Sequence, residues 1–101
     1  MPIGGVKDST ATKSLGTTSE YIKLLKAEVK KEGLMKIKGK SENSVWTGYL
    51  DETGKQQGGV CKVGKATAIQ IRDTDYIDYD GDHKIDRIIT HNPDGSETVA
   101  P

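Results

Sequence analysis

The spacing of the apolar residues changes once, at Gly33, and that change decides which class of fold the chain can adopt. Before it, Tyr21, Leu25 and Val29 recur every four residues, with Ile22 and Leu24 widening the stripe. Ser19–Glu32 is therefore predicted to form one amphipathic helix of about four turns. Thr17 and Glu20 have the spacing of a capping box, in which a threonine hydroxyl and a glutamate carboxylate each take a free N–H at the helix start. Gly33 stands where a left-handed C-terminal cap belongs. After Gly33 the apolar residues alternate. Leu34, Met35 and Ile37 begin a strand with Lys36, Lys38 and Lys40 on the other face, and Ser44–Leu50, Gly58–Val63, Ala66–Arg72, Ile85–Thr90 and Ser96–Val99 continue the pattern. Asp51-Glu52-Thr53-Gly54-Lys55 and Asn92-Pro93-Asp94-Gly95 are turn sequences.

One helix followed by strands joined through hairpins implies an α+β fold. The expectation is an N-terminal amphipathic helix packed on an antiparallel sheet, or partial barrel, of about five to six short strands. Residues 1–17, mostly Gly, Ser, Thr and Lys without a period, are read as a flexible arm, and residues 18–101 as a single domain. The hydrophobic fraction is 33% with no phenylalanine, so the core must be small. No internal repeat accompanies the strands.

Charge is balanced overall but not along the chain. Residues 1–65 hold twelve lysines and seven acids, whereas residues 66–101 hold three basic residues and eight acids. Much of the acidic excess lies in Asp78-Tyr79-Asp80-Gly81-Asp82-His83-Lys84-Ile85-Asp86, with aspartate at the first, third, fifth and ninth places. Short carboxylates at alternate positions of a tight loop can converge on one point, as a hard cation with six to eight oxygen ligands requires. Without an ion, the same residues form an Asp/Gly-rich turn whose four carboxylates repel one another unless solvated or neutralised, which favours the ion.

This run resembles the calcium loop of EF-hands, and more closely the shortened loop of integrin-like propeller blades, where D-x-D-x-D-x-x-x-D leads directly into an apolar strand. Here Arg87-Ile88-Ile89-Thr90 follows Asp86. The resemblance implies a calcium site with side-chain oxygens from Asp78, Asp80, Asp82 and Asp86 and a backbone carbonyl from Lys84. It departs from the EF-hand pattern at two places. His83 occupies the usual glycine position, which requires a left-handed residue, and Ile89 replaces the bidentate glutamate at the twelfth. The shell must then close on Asp86, or recruit Asp73, Asp75, a distant carbonyl or water. Such a shell implies weak affinity, with Kd of roughly 10⁻⁵ to 10⁻³ M. Tyr76 and Tyr79 flank the aspartates as a cover for the ion or as an exposed contact surface.

Other chemistry is poorly supported. Gly59–Ala66 approaches the phosphate-binding loop G-x-x-x-x-G-K-[ST], but Ala66 replaces the magnesium-binding hydroxyl and the flanking strand-to-helix pattern is missing. Cys61 would need His83 or His91 beside it to act as a nucleophile; alone between Val60 and Val63 it reads as a packed residue. Trp46 and Tyr49 read as core or rim. The helix lysines come without arginine and with Glu28 and Glu32 among them, so nucleic acid is not the expected partner. No run is long enough to span a membrane, and the first residues lack the apolar core of a signal peptide. A weak calcium site suits an extracellular or particle-borne setting, but a lone cysteine leaves the compartment open.

These readings converge on a non-enzymatic calcium-binding module that recognises another macromolecule, most simply a protein. The alternatives are a metal-independent inhibitor or adaptor, and a small metal-assisted hydrolase.

Overall fold

The structure is a computed structural model and describes residues 14–100. One helix, α1 (Thr18–Glu32), is followed by seven strands. These are β1 (Met35–Lys40), β2 (Ser44–Leu50), β3 (Gln56–Val63), β4 (Ala66–Ile71), β5 (Thr74–Asp78), β6 (Arg87–His91) and β7 (Glu97–Ala100). The strands form one antiparallel meander in chain order, so each pairs with its sequence neighbours and β1 and β7 are the two edges.

This arrangement corrects the expected fold in three ways. The sheet has seven strands rather than five to six, with β1 and β7 not paired to each other, and the protein is mostly β. The helix is the first element described but begins at Thr18, not at the chain terminus. The unforeseen strand is β5, Thr-Asp-Tyr-Ile-Asp, in the connection between Arg72 and the acidic run. Its two aspartates lower strand propensity. The turn before it is also concealed, because Ile71 pairs with Thr74 across only Arg72 and Asp73, and Arg72 takes the left-handed conformation (φ 56) without being Gly or Asn. The expected arm falls largely outside the described residues, since residues 1–13 are not among them.

The helix forms as its ends dictate. The Thr17 hydroxyl accepts the Glu20 N–H at 3.2 Å, and the Thr17 N–H donates to Glu20 Oε1 at 2.9 Å. At the other end Gly33 adopts φ 64, and the Leu34 N–H reaches back to the Val29 carbonyl at 3.1 Å. Between these caps α1 lies across β3, β4 and β5, the centre of the sheet. Leu25 (1% exposed) packs where Gly58 has no side chain; a Cβ there would come within 2.5 Å of Leu25 Cδ1. Ile69 and Ile85 complete the buried apolar core, and Tyr21 stacks on Tyr76 with ring centroids 3.9 Å apart. Arg72 pairs with Glu28 and Glu32, tying the β4–β5 turn to the C-terminal half of the helix. No helix is long and apolar enough to cross a membrane.

Candidate metal centre

Asp78 is the last residue of β5. The register Lys40, Val45, Lys62, Thr67, Asp78 runs across five strands, so Asp78 ends a row on the face that carries the helix. It is buried, with 1% of its surface exposed. A buried carboxylate requires donors, and here they come from the backbone of its own loop. Asp78 Oδ1 accepts the N–H groups of Asp80 (3.2 Å) and Gly81 (3.0 Å), and Oδ2 accepts that of His83 (3.0 Å). The same local bond recurs along the loop: Asp80 Oδ1 accepts the Asp82 N–H at 3.2 Å, and Asp82 Oδ1 accepts the Lys84 N–H at 2.9 Å. Asp78, Asp80 and Asp82 thus each take the N–H two residues ahead, the Asx turn that this side chain favours. The chain bends through Gly81 (φ 78) and His83 (φ 70), so the histidine does take the left-handed conformation required of it.

The loop closes on itself. Asp86 Oδ2 accepts the Tyr79 N–H at 2.7 Å, and the Asp86 N–H donates to the Ile77 carbonyl at 2.7 Å. One oxygen from each of Asp78, Asp80, Asp82 and Asp86 lies within 4.8 Å of the others, so the four carboxylates could hold a metal ion. Asp73 and Asp75, the further ligands considered from the sequence, are not in this cluster and sit at the opposite end of β5. Asp75 is engaged there by His91 Nε2 at 2.9 Å.

Electrostatics within the loop are those of crowded anions. Burial pushes the Asp78 carboxyl up, but the N–H groups of His83, Gly81 and Asp80 outweigh it and hold the carboxyl below its ordinary range. Asp80 moves the other way. The Asp82 N–H favours its anion, but the Asp82 carboxyl, desolvation and the Asp78 carboxyl together hold the Asp80 proton more tightly than usual. One carboxyl that releases its proton more easily beside another that holds it more tightly is the pattern of neighbouring anions in mutual repulsion, which a cation between them would relieve.

The outer side of the loop is bound to the segment before the helix, which no residue pattern announced. Thr17 and Lys84 form an isolated antiparallel bridge, with the Thr18 N–H on the His83 carbonyl (3.0 Å) and the Ile85 N–H on the Gly16 carbonyl (2.8 Å). These bonds use the groups flanking Lys84 and leave its own N–H and C=O on the side away from the segment. The Lys84 N–H accordingly serves Asp82. Tyr21 holds the segment from the helix side by donating its hydroxyl to the Leu15 carbonyl at 2.7 Å. The only sequence sign of this contact was the Thr17 cap, which marks the helix start but not its partner.

The remaining candidates are not brought together. Tyr76 is occupied by Tyr21, whereas Tyr79 is exposed with the Arg87 guanidinium 5.9 Å from its ring centre. Cys61 lines a shallow groove on the sheet face opposite the helix with Trp46, Ala68 and Ile77, and neither histidine lines it. Gly59–Ala66 is a hairpin, with Val63 paired to Ala66 across Gly64 and Lys65, so no helix N-terminus follows that could receive a phosphate. Comparison of the chain with protein-family models, with curated proteins and with solved structures finds no match.

Proposed function

We propose that the Asp78–Asp86 loop binds calcium, and that the bound ion orders the β5–β6 connection of a non-enzymatic module that recognises another macromolecule. The observation that carries the reading is the convergence of four carboxylate oxygens within 4.8 Å on a loop closed by Asp86. Asp78, Asp80, Asp82 and Asp86 supply side-chain oxygens and Lys84 its carbonyl. Calcium suits this donor set better than magnesium because it tolerates irregular oxygen cages, whereas magnesium demands a stricter octahedron and keeps more of its waters. Asp78 already has three N–H donors and acts as an anchor that orients the loop. Asp80 and Asp82 are exposed and carry most of the contact with an arriving ion. The ion's gain is largest where repulsion is largest, between Asp80 and its neighbours.

Calorimetric titration with calcium, paired with amide shifts across residues 78–86, tests the proposal. Saturable binding with Kd of roughly 10⁻⁵ to 10⁻³ M is expected, with magnesium weaker and Asp80→Ala strongly impaired. If millimolar calcium leaves these amides in place, the reading is wrong. The loop would then be a self-sufficient chain of Asx turns, and the module would bind its partner without a metal.

A further inference from the structure

A second surface lies on the sheet edge farthest from β7 and does not depend on the calcium reading. In β1, Lys36, Lys38 and Lys40 occupy alternate positions and so share one face, while Met35, Ile37 and Gly39 share the other. The Trp46 indole lies across Gly39 on that second face. The register continues the lysine face through Val45, Thr47 and Tyr49 of β2 to Lys62, Val60 and Gly58 of β3. The strands β1–β4 contain no Asp or Glu. Among the described residues, Arg72 and His91 hold the ion pairs, and no described acid pairs with the β1 lysines.

Among the described residues, the outer main chain of β1 has no strand partner either. The Ser41 N–H bonds the Ser44 carbonyl at 2.8 Å, which sets the alternation of the β1–β2 ladder. Residues 35, 37 and 39 then face β2, and the N–H and C=O groups of Lys36, Lys38 and Lys40 point away from the sheet. Edge lysines ordinarily deter strand addition, and they do so here against a second copy of β1 or any neutral or basic strand. Against an acidic strand they have the opposite effect. A strand added antiparallel would place its residues opposite the three lysines on the same face, with Cα atoms about 5.5 Å apart. Side chains two residues apart on that strand are separated by ~6.8 Å, the same repeat as the lysines.

We propose that β1 is a docking edge for an extended acidic segment of a partner protein, with Asp or Glu at alternate positions and apolar residues between them. The ladder supplies affinity and the lysines supply selectivity. The apolar residues of the segment meet Ile37 and the rim of Trp46. A nucleic acid could satisfy the lysines but not the backbone groups between them.

The probe is a blocked heptapeptide alternating Glu and Val, followed through Trp46 fluorescence (Trp46 is the only tryptophan) and the amide resonances of the whole protein. Saturable shifts confined to β1 and β2 are expected, with none at the other free edge, β7. Lys36→Glu with Lys38→Glu should weaken binding by about tenfold or more, and Lys36→Ser with Lys38→Ser by less. A heptapeptide methylated on alternate backbone nitrogens should not bind. The proposal is overturned if the methylated peptide binds as well as the parent or if an oligothymidylate moves the same amides equally. Unmoved β1 amides at millimolar peptide overturn it too.

Discussion

The two ends of β5 carry similar acids and neutralise them differently. At the start of the strand, Asp75 meets His91, which also faces Glu97, while the adjacent Arg72 answers Glu28 and Glu32. At the end of the strand, Asp78 and the aspartates after it meet N–H groups and one another, with no cationic side chain paired to them among the described residues. Backbone dipoles can orient such carboxylates but bring no formal charge to offset theirs. One end is therefore neutralised within the chain, whereas the other gathers four carboxylates that could hold a cation.

The largest effect should come from supplying that cation. A ligand that binds only the folded state at a hundredfold excess over Kd stabilises it by about 2.7 kcal/mol. For a domain of this size that shift corresponds to roughly 10 °C or more in Tm. Calorimetric scans with and without calcium should show the gain, and Asp82→Asn should remove most of it. The amides of Asp75 and His91 should stay in place, because that end needs no cation. Equal calcium shifts at both ends would erase the contrast.

Only one side of this contrast was legible in the chain. Aspartates at positions 78, 80, 82 and 86 can converge only in a tight loop, and Gly81 with His83 marked where the bends fall. The capping box and Gly33 placed the helix because both of its ends depend on local side chains and backbone. What stayed hidden depends on long-range pairing. Whether β1 meets β7 decides between a closed and an open sheet, and that pairing would join the two ends of the meander, beyond the reach of local patterning. The Thr17–Lys84 bridge uses backbone groups alone, so side chains left no trace of it. Strand β5 was concealed by its acids, which usually mark loops, and by a turn whose left-handed residue is an arginine.

A smaller effect should follow from loosening the segment that backs the acidic loop. Thr17→Ala removes the N-cap hydroxyl, at a cost of about 1 kcal/mol in global stability. Because Gly16 and Thr18 bond to Ile85 and His83, the same change should raise hydrogen exchange at Ile85 and weaken calcium binding. The His91 end should be unaffected. A Thr17→Ser variant, which keeps the hydroxyl, should behave like the parent. If Thr17→Ala lowers Tm but leaves Ile85 exchange and calcium affinity unchanged, the helix cap and the loop are independent.

The smallest effect belongs to the end that is already neutralised, and its sign follows from His91. The hydrogen bond to Asp75 is the main influence holding the proton, with partial desolvation opposing it and the charges of Asp75, Glu97 and Asp73 reinforcing it. The imidazole therefore titrates above its ordinary value of about 6.5 in the folded protein. A group that binds its proton more tightly when folded stabilises the protein fully below the unfolded value, and that contribution fades as pH rises through the folded one. Tm should thus decline modestly from pH 6 upward to pH 9. The slope should shrink in high salt, because the histidine and both carboxylates are at least a third exposed. His91→Gln should flatten the curve and converge with the parent at high pH, where the imidazole is neutral. A Tm that rises with pH across this window, or a slope unchanged in His91→Gln, would show that His91 does not complete this end of β5.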